Sequence, residues 1–229
     1  MENYVQEQKI NSPKIRTVGV LLGNVILAIL ELIAIIQMIP TNKWKCFAFY
    51  TDISNALTFI VSIILIVTCI VVLCKRGGRL PQWVMVLKYI TVCMLFITFI
   101  VVVSILAPYF GKDGYITFLF KDSMLFTHTI CPIYALISSL VFERGYVYRF
   151  IYTIYALIPT LIYGITLIVL NVLKVIEGPY PFFFVYVNGW FKSVVWIIGV
   201  ILGTYLLSVI VWFGLQKRTQ KTKITRHAH

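Results

Sequence analysis

A hydroxyl or thiol next to an imidazole gives a nucleophile and the general base that takes its proton. This chain offers one imidazole for such a pairing, because His128 is the only histidine outside the C-terminal tail. The nucleophile is less constrained. The stretch FAFYTDISNALTF (47–59) sets Thr51, Asp52, Ser54, Asn55 and Thr58 inside eight residues of an otherwise apolar run, and Cys131 follows His128 by three positions. Spacing alone does not choose among Thr51, Ser54 and Cys131. The chemistry such a set supports is acyl transfer at an ester carbonyl, with a third group such as Asp52 or Asn55 orienting the base and a donor such as Tyr50 or Asn188 facing the oxyanion.

The elements that carry these residues follow from composition. The chain has 229 residues, 60% of them hydrophobic and only 12% charged, with a mean hydropathy of +0.93. A soluble domain is about one-quarter charged, so this composition points to an integral membrane protein. Six apolar runs, near 17–40, 47–74, 83–107, 123–142, 150–174 and 190–215, are each long enough to cross about 30 Å of hydrocarbon. Lipid offers backbone groups no hydrogen bonds, so the expected fold is all-α: a six-helix transmembrane domain over 17–215, an N-terminal segment 1–16 and a basic tail 216–229. Lys and Arg concentrate at the two ends of the chain, around 75–88 and at 144–149, with fourteen there against six on the other side. This predicts both termini in the cytoplasm. The net charge of +12 sits in short segments between spans rather than in a stripe on a folded domain, which argues against nucleic acid as a partner. The five cysteines form no C-x-x-C pair, and the single intramembrane imidazole predicts neither a metal nor another cofactor.

The polar residues within the spans converge on one depth. Thr51, Ser54, Asn55, Thr58 and Ser62 follow i, i+3, i+4, i+7, i+11, one face of the second helix, with Asp52 at its edge. Thr51 lies ~6 Å and His128 ~7–8 Å below the outer ends of their helices at 1.5 Å per residue. Asn24 and Glu31 share a face of the first helix, Glu31 ~13 Å down. Ionisable groups in a span turn toward the bundle interior or a water-filled cavity, so a pocket in the outer half is expected, lined by Thr51, Asp52, His128 and Glu31. Ser54, Thr58 and Ser62 read more simply as packing and hydrogen-bonding residues. The apolar, aromatic segments YITFLF (115–120) and YPFFFVYVNGW (180–190) are too short to span and fit interfacial segments over that pocket.

The segments FAFYTDISN, LFTHTICPIYALISSLVFE and YPFFFVYVNGW together resemble the F-T-x-x-S-N, H-x-x-x-P and Y-P-F segments of the androgen-induced gene 1 / androgen-dependent TFPI-regulating protein family and its bacterial six-helix relatives. That family is known as threonine hydrolases of fatty acid esters of hydroxy fatty acids. The resemblance covers most of 45–190 and places the family's threonine on Thr51 and its histidine on His128. It implies an intramembrane hydrolase of lipid acyl esters in a cell membrane, bacterial by its nearest pattern, with membrane lipids as partners and no metal. Two positions depart from the family pattern: Asp52 follows the threonine where the hydrolases have an apolar residue, and Phe183 and Phe184 follow Y-P-F where many bacterial relatives are acidic. Some similar proteins are cysteine acyltransferases, which keeps Cys131 among the candidates. The competing expectation is a non-enzymatic lipid-binding or transport protein in which Glu31 and Asp52 titrate inside the pocket.

Overall fold

The computed structural model describes residues 2–42, 48–75, 78–143, 146, 148–176, 178–180 and 183–227, with side chains described between 14 and 216 of these except at 41, 42 and 188. It is all-helical over the described residues. Seven helices organise it: α1 (Glu2–Asn42), α2 (Tyr50–Cys74), α3 (Gln82–Tyr109), the short α4 (Gly114–Phe120), α5 (Asp122–Phe142), α6 (Tyr152–Val172) and α7 (Trp190–His227). All but α4 contain a stretch long and apolar enough to cross a membrane, Lys14–Pro40 in α1 and Trp190–Gln216 in α7. The protein is therefore built as an integral membrane protein of six spans. Both terminal segments continue the helices of the adjoining spans, α1 from Glu2 and α7 to His227. Cys46, Lys43, Lys45 and His229 lie outside the described residues.

The packing is inside-out relative to a soluble bundle. On α2 the buried positions include Thr51, Asp52, Ser54, Asn55, Thr58 and Ser62, while Ile60, Ile63 and Val67 are exposed. Apolar side chains lose nothing by facing lipid, whereas each polar group needs a partner that only the interior supplies. Ser54 and Thr58 act as the packing reading expects. Ser54 Oγ donates to the Thr51 carbonyl (2.8 Å) and lies 3.4 Å from Thr98 Oγ1 on α3, and Thr58 donates to the Ser54 carbonyl (2.7 Å). α3 is the central helix: 56% of its span is buried, against 22% for α6 and α7, which lie at the periphery.

Two helices change pitch next to a proline. Val102–Leu106 of α3 and Leu125–Ile130 of α5 are π-helical, followed by Pro108 and Pro132. In the α5 turn Cys131 N–H bonds to the Phe126 carbonyl. The next bond in that register would come from residue 132, which has no N–H, so the Thr127 carbonyl is left without a backbone donor. Asn55 Nδ2 supplies one from α2 at 3.3 Å and also donates to its own helix at the Thr51 carbonyl (2.7 Å). Asn55 thus clamps α2 to the π turn of α5.

One charged residue lies where the sequence reading did not put it. Lys88 was expected beside the 75–82 loop as part of the basic end. It is fully buried two turns inside α3, with Nζ donating to Asn24 Oδ1 of α1 at 3.0 Å. Its charge faces Glu31 and Glu143. The Asn24 amide binds it and the fields of two carboxyls act on it, so α3, although sparse in polar residues, carries a cation in the core. Glu143, at the end of α5, accepts from Ser139 Oγ (2.9 Å) and from the Tyr148 hydroxyl (3.0 Å). The Tyr148 carbonyl in turn accepts from Trp212 Nε1 of α7 (2.8 Å).

Burial pushes the Glu143 carboxyl above its ordinary value of 4.5, with Lys88 opposing the shift. A raised carboxyl stabilises the fold most below the unfolded value, and that contribution is lost as pH rises through the folded one. In detergent, the thermal midpoint of wild type should therefore fall relative to Glu143→Gln as pH rises from about 4.5. A midpoint difference that is constant with pH would contradict this placement.

Candidate functional site

At the end of the bundle away from the termini, α4 lies across the gap between α3 and α5. Its approach depends on Gly114: a Cβ there would stand 2.1 Å from the Ala107 carbonyl oxygen of α3. The last carbonyls of a helix have no partner within it, and α5 supplies donors for two of them. His128 Nδ1 meets the Phe118 carbonyl at 2.8 Å, and Thr129 Oγ1 donates to the Leu119 carbonyl at 2.9 Å. A carbonyl oxygen can only accept, so His128 Nδ1 carries the hydrogen and Nε2 is left with its lone pair. That is the tautomer a general base needs.

His128 lines a cavity of about 290 Å³ with Thr51, Asp52, Ser123, Thr127 and Tyr180 among its walls. Thr51 and Asp52 come from the first turn of α2, which has no side-chain cap of its own. The Tyr180 hydroxyl takes that role, accepting from Tyr50 N–H at 3.1 Å and standing against the Thr51 side chain and backbone. Tyr180 lies outside the spans. Burial pushes its phenol up, the hydrogen bonds from Thr51 oppose the shift, and Asp52 adds to it. The phenol therefore stays protonated and remains a donor. The Asn171 amide holds the Tyr180 loop, accepting from Gly178 N–H at 3.1 Å and donating to the Phe183 carbonyl at 3.2 Å.

A second, smaller cavity of about 90 Å³ lies on the other side of Thr51. It is apolar, walled by residues of α2, α3, α6 and α7 such as Val101, Tyr163, Ile168 and Ile201. Thr51, Leu106 and Tyr180 border both cavities.

The structure brings together Thr51, Asp52 and His128 from the expected set. The others stand elsewhere. The Tyr50 hydroxyl turns away from the His128 cavity to pair with Thr160 Oγ1 at 2.8 Å. Asn55 serves the π turn of α5. Glu31 and Cys131 lie deeper, against each other and off the cavity wall. The Asn188 side chain lies outside the described residues. Among the described residues no three His, Cys, Asp or Glu side chains gather as metal ligands do. The sequence reading did not single out Tyr180, although it sits in the YPFFFVYVNGW segment that was placed over the pocket. The available signal was a tyrosine beside a proline in a loop otherwise built from apolar aromatics.

Gly114→Ala should lift α4 from α3, cost about 1–3 kcal/mol as overpacking does, and release His128 Nδ1 from Phe118. Nitrogen-15 spectra of histidine-labelled protein should then lose the Nδ1-protonated tautomer of His128, and an unchanged tautomer in the folded variant would refute the coupling. Compared with family models, curated proteins and solved structures, the chain matches none of them.

Proposed function

We propose that the protein is an intramembrane hydrolase of lipid acyl esters, with Thr51 as nucleophile and His128 as general base. The observation that carries the reading is the position of Thr51 on the wall between a cavity that carries the polar groups of Asp52, Thr127 and His128 and an apolar slot. An acyl ester has the same two parts, a polar carbonyl head and a hydrocarbon tail. A lipid seated across Thr51 keeps its tail among Val101, Ile168 and Ile201 and its ester group beside His128.

The chemistry proposed is acyl transfer. Thr51 Oγ1 attacks the ester carbonyl carbon while its proton passes to His128 Nε2. The Phe118 carbonyl holds the ring in that tautomer and stabilises the imidazolium as it forms. The oxyanion needs donors, and the Tyr180 phenol beside Thr51 replaces Tyr50 in that role. Collapse of the intermediate expels the alcohol, protonated by His128, and leaves an acyl-threonine. Water activated by the same nitrogen then releases the fatty acid. Asp52 in the first turn of α2 meets the positive end of the helix dipole and faces Tyr180. With the basic end of the chain in the cytoplasm, the substrate comes from the outer leaflet.

The competing reading keeps the same cavities as a lipid-binding site without a covalent step. A fluorophosphonate probe separates the two, since it labels only an activated hydroxyl. Wild type in membranes should be labelled, Thr51→Ala should not be, and His128→Ala should label ~10²–10⁴-fold more slowly. Tyr180→Phe should slow ester turnover by ~10²-fold, as loss of an oxyanion donor does. Labelling that persists in Thr51→Ala would remove Thr51 from the mechanism.

A further inference from the structure

The ester chemistry makes no use of the charged groups in the middle of the bundle, and these form a connected series. At the end near the termini, Glu143 is bound by Ser139 and Tyr148, with Cys69 and Tyr146 also within its field. Lys88 comes next, facing both Glu143 and Glu31 while it donates to Asn24. Glu31 follows, fully buried on α1 against the Cys131 thiol of α5. One turn nearer the cavity on α5, Asn55 bonds to the Thr127 carbonyl, and Thr127 and His128 line the cavity itself. The series draws on α1, α2, α3 and α5 and runs from one end of the spans to the cavity near the other.

The partners are unequal along this series. Each Glu143 oxygen accepts from a hydroxyl, which suits a carboxylate. Neither Glu31 oxygen has a nitrogen or oxygen donor, and Asn55 Oδ1 and Ser62 Oγ are buried without partners as well. A thiol is a weak donor. One ammonium cannot neutralise two carboxylates, and an uncompensated charge at this depth is very costly. The trio therefore holds one proton for two carboxyls, and Glu31, the carboxyl without strong donors, is where it resides. These unpartnered oxygens have room in their bonding for water.

We propose that the protein conducts protons across the membrane, with Glu31 as the mid-membrane carrier between Lys88 and Glu143 on one side and the outer cavity on the other. A proton leaves the Glu31 carboxyl for water and passes to the outer cavity. The resulting Glu31 carboxylate takes a proton from the Lys88 ammonium. Lys88, now a neutral amine, is reprotonated through Glu143, which takes its proton from the side of the termini. One proton crosses per cycle and every group returns to its starting state. The reverse direction uses the same groups.

The path is independent of the ester chemistry and is measured without any ester. Full-length protein is reconstituted in phosphatidylcholine–phosphatidylglycerol vesicles with pyranine trapped inside, and a potassium diffusion potential set by valinomycin drives proton movement. Wild-type vesicles should change internal pH faster than protein-free vesicles. Glu31→Gln should lower that flux at least about tenfold, as expected for loss of an obligatory intramembrane carboxyl, and Glu31→Asp should retain part of it. Flux in wild type equal to that of empty vesicles overturns the proposal, as does wild-type flux in folded Glu31→Gln. Where Glu31→Gln does not fold, Lys88→Met and Glu143→Gln take its place, and full flux in either overturns it. Infrared spectra of wild type give a measurement free of variants: a deuterium-sensitive carboxylic-acid carbonyl band from the spans is expected, and its absence overturns the assignment. Probe labelling of Thr51 is scored separately, so either reading can fail while the other stands.

Discussion

A proline in a lipid-immersed helix leaves a carbonyl that no solvent can satisfy, and Pro132 makes that demand where the site is built. The helix responds by widening to a π turn over Leu125–Ile130, and Asn55 of α2 donates to the freed Thr127 carbonyl. The two responses together bring α2 and α5 to a fixed relation. His128 is inside the widened turn and Thr51 is one turn from Asn55, so the backbone constraint sets the relation between His128 and Thr51. Replacing Pro132 with a residue that has an N–H would remove the demand and, with it, the reason for Asn55 to bridge.

The same rule governs the cap. α4 is too short to span and ends with orphan carbonyls over the bundle. His128 and Thr129 satisfy two of them, and the bond that holds α4 down is also the bond that selects the His128 tautomer. Stability and chemistry are joined in one contact. Tyr180 repeats the pattern at α2, because the hydroxyl that caps the helix is also the donor beside Thr51. Each group at the site is held by completing a backbone that would otherwise be unsatisfied.

The six spans were legible because length and hydropathy decide them with little help from tertiary structure. The buried face of α2 was legible for a related reason: in lipid a polar stripe has nowhere to go but inward, so Thr51, Asp52 and Asn55 could be placed from spacing. Depth arithmetic also brought His128 to the level of Thr51. It also set Glu31 deeper, ~13 Å down, and what did not follow was a place on the cavity wall, since Glu31 packs against Cys131 instead. Tyr180 was hidden because its role depends on a loop folding back 130 positions onto α2, and no periodicity reports that. Lys88 was misread because a lysine a few residues inside a span looks the same in sequence whether it snorkels outward or pairs inward. Only the positions of Asn24, Glu31 and Glu143 on other elements decide between them.

The bundle thus has two polar layers with different character. The layer around Thr51 is built from hydroxyls, one imidazole and the Asp52 carboxyl, borders an apolar slot, and is closed by aromatic segments. The layer around Lys88 is charged and carries orphaned acceptors. Asn55 belongs to the first layer, its Nδ2 bonding the Thr127 carbonyl while its Oδ1 is buried without a partner. Near-isosteric replacement, Asn55→Asp, would put a buried carboxylate on α2 and remove the donor from Thr127. The clamp would be lost by a change that alters almost no volume. The coupling between α2 and α5 is therefore electrostatic as much as steric.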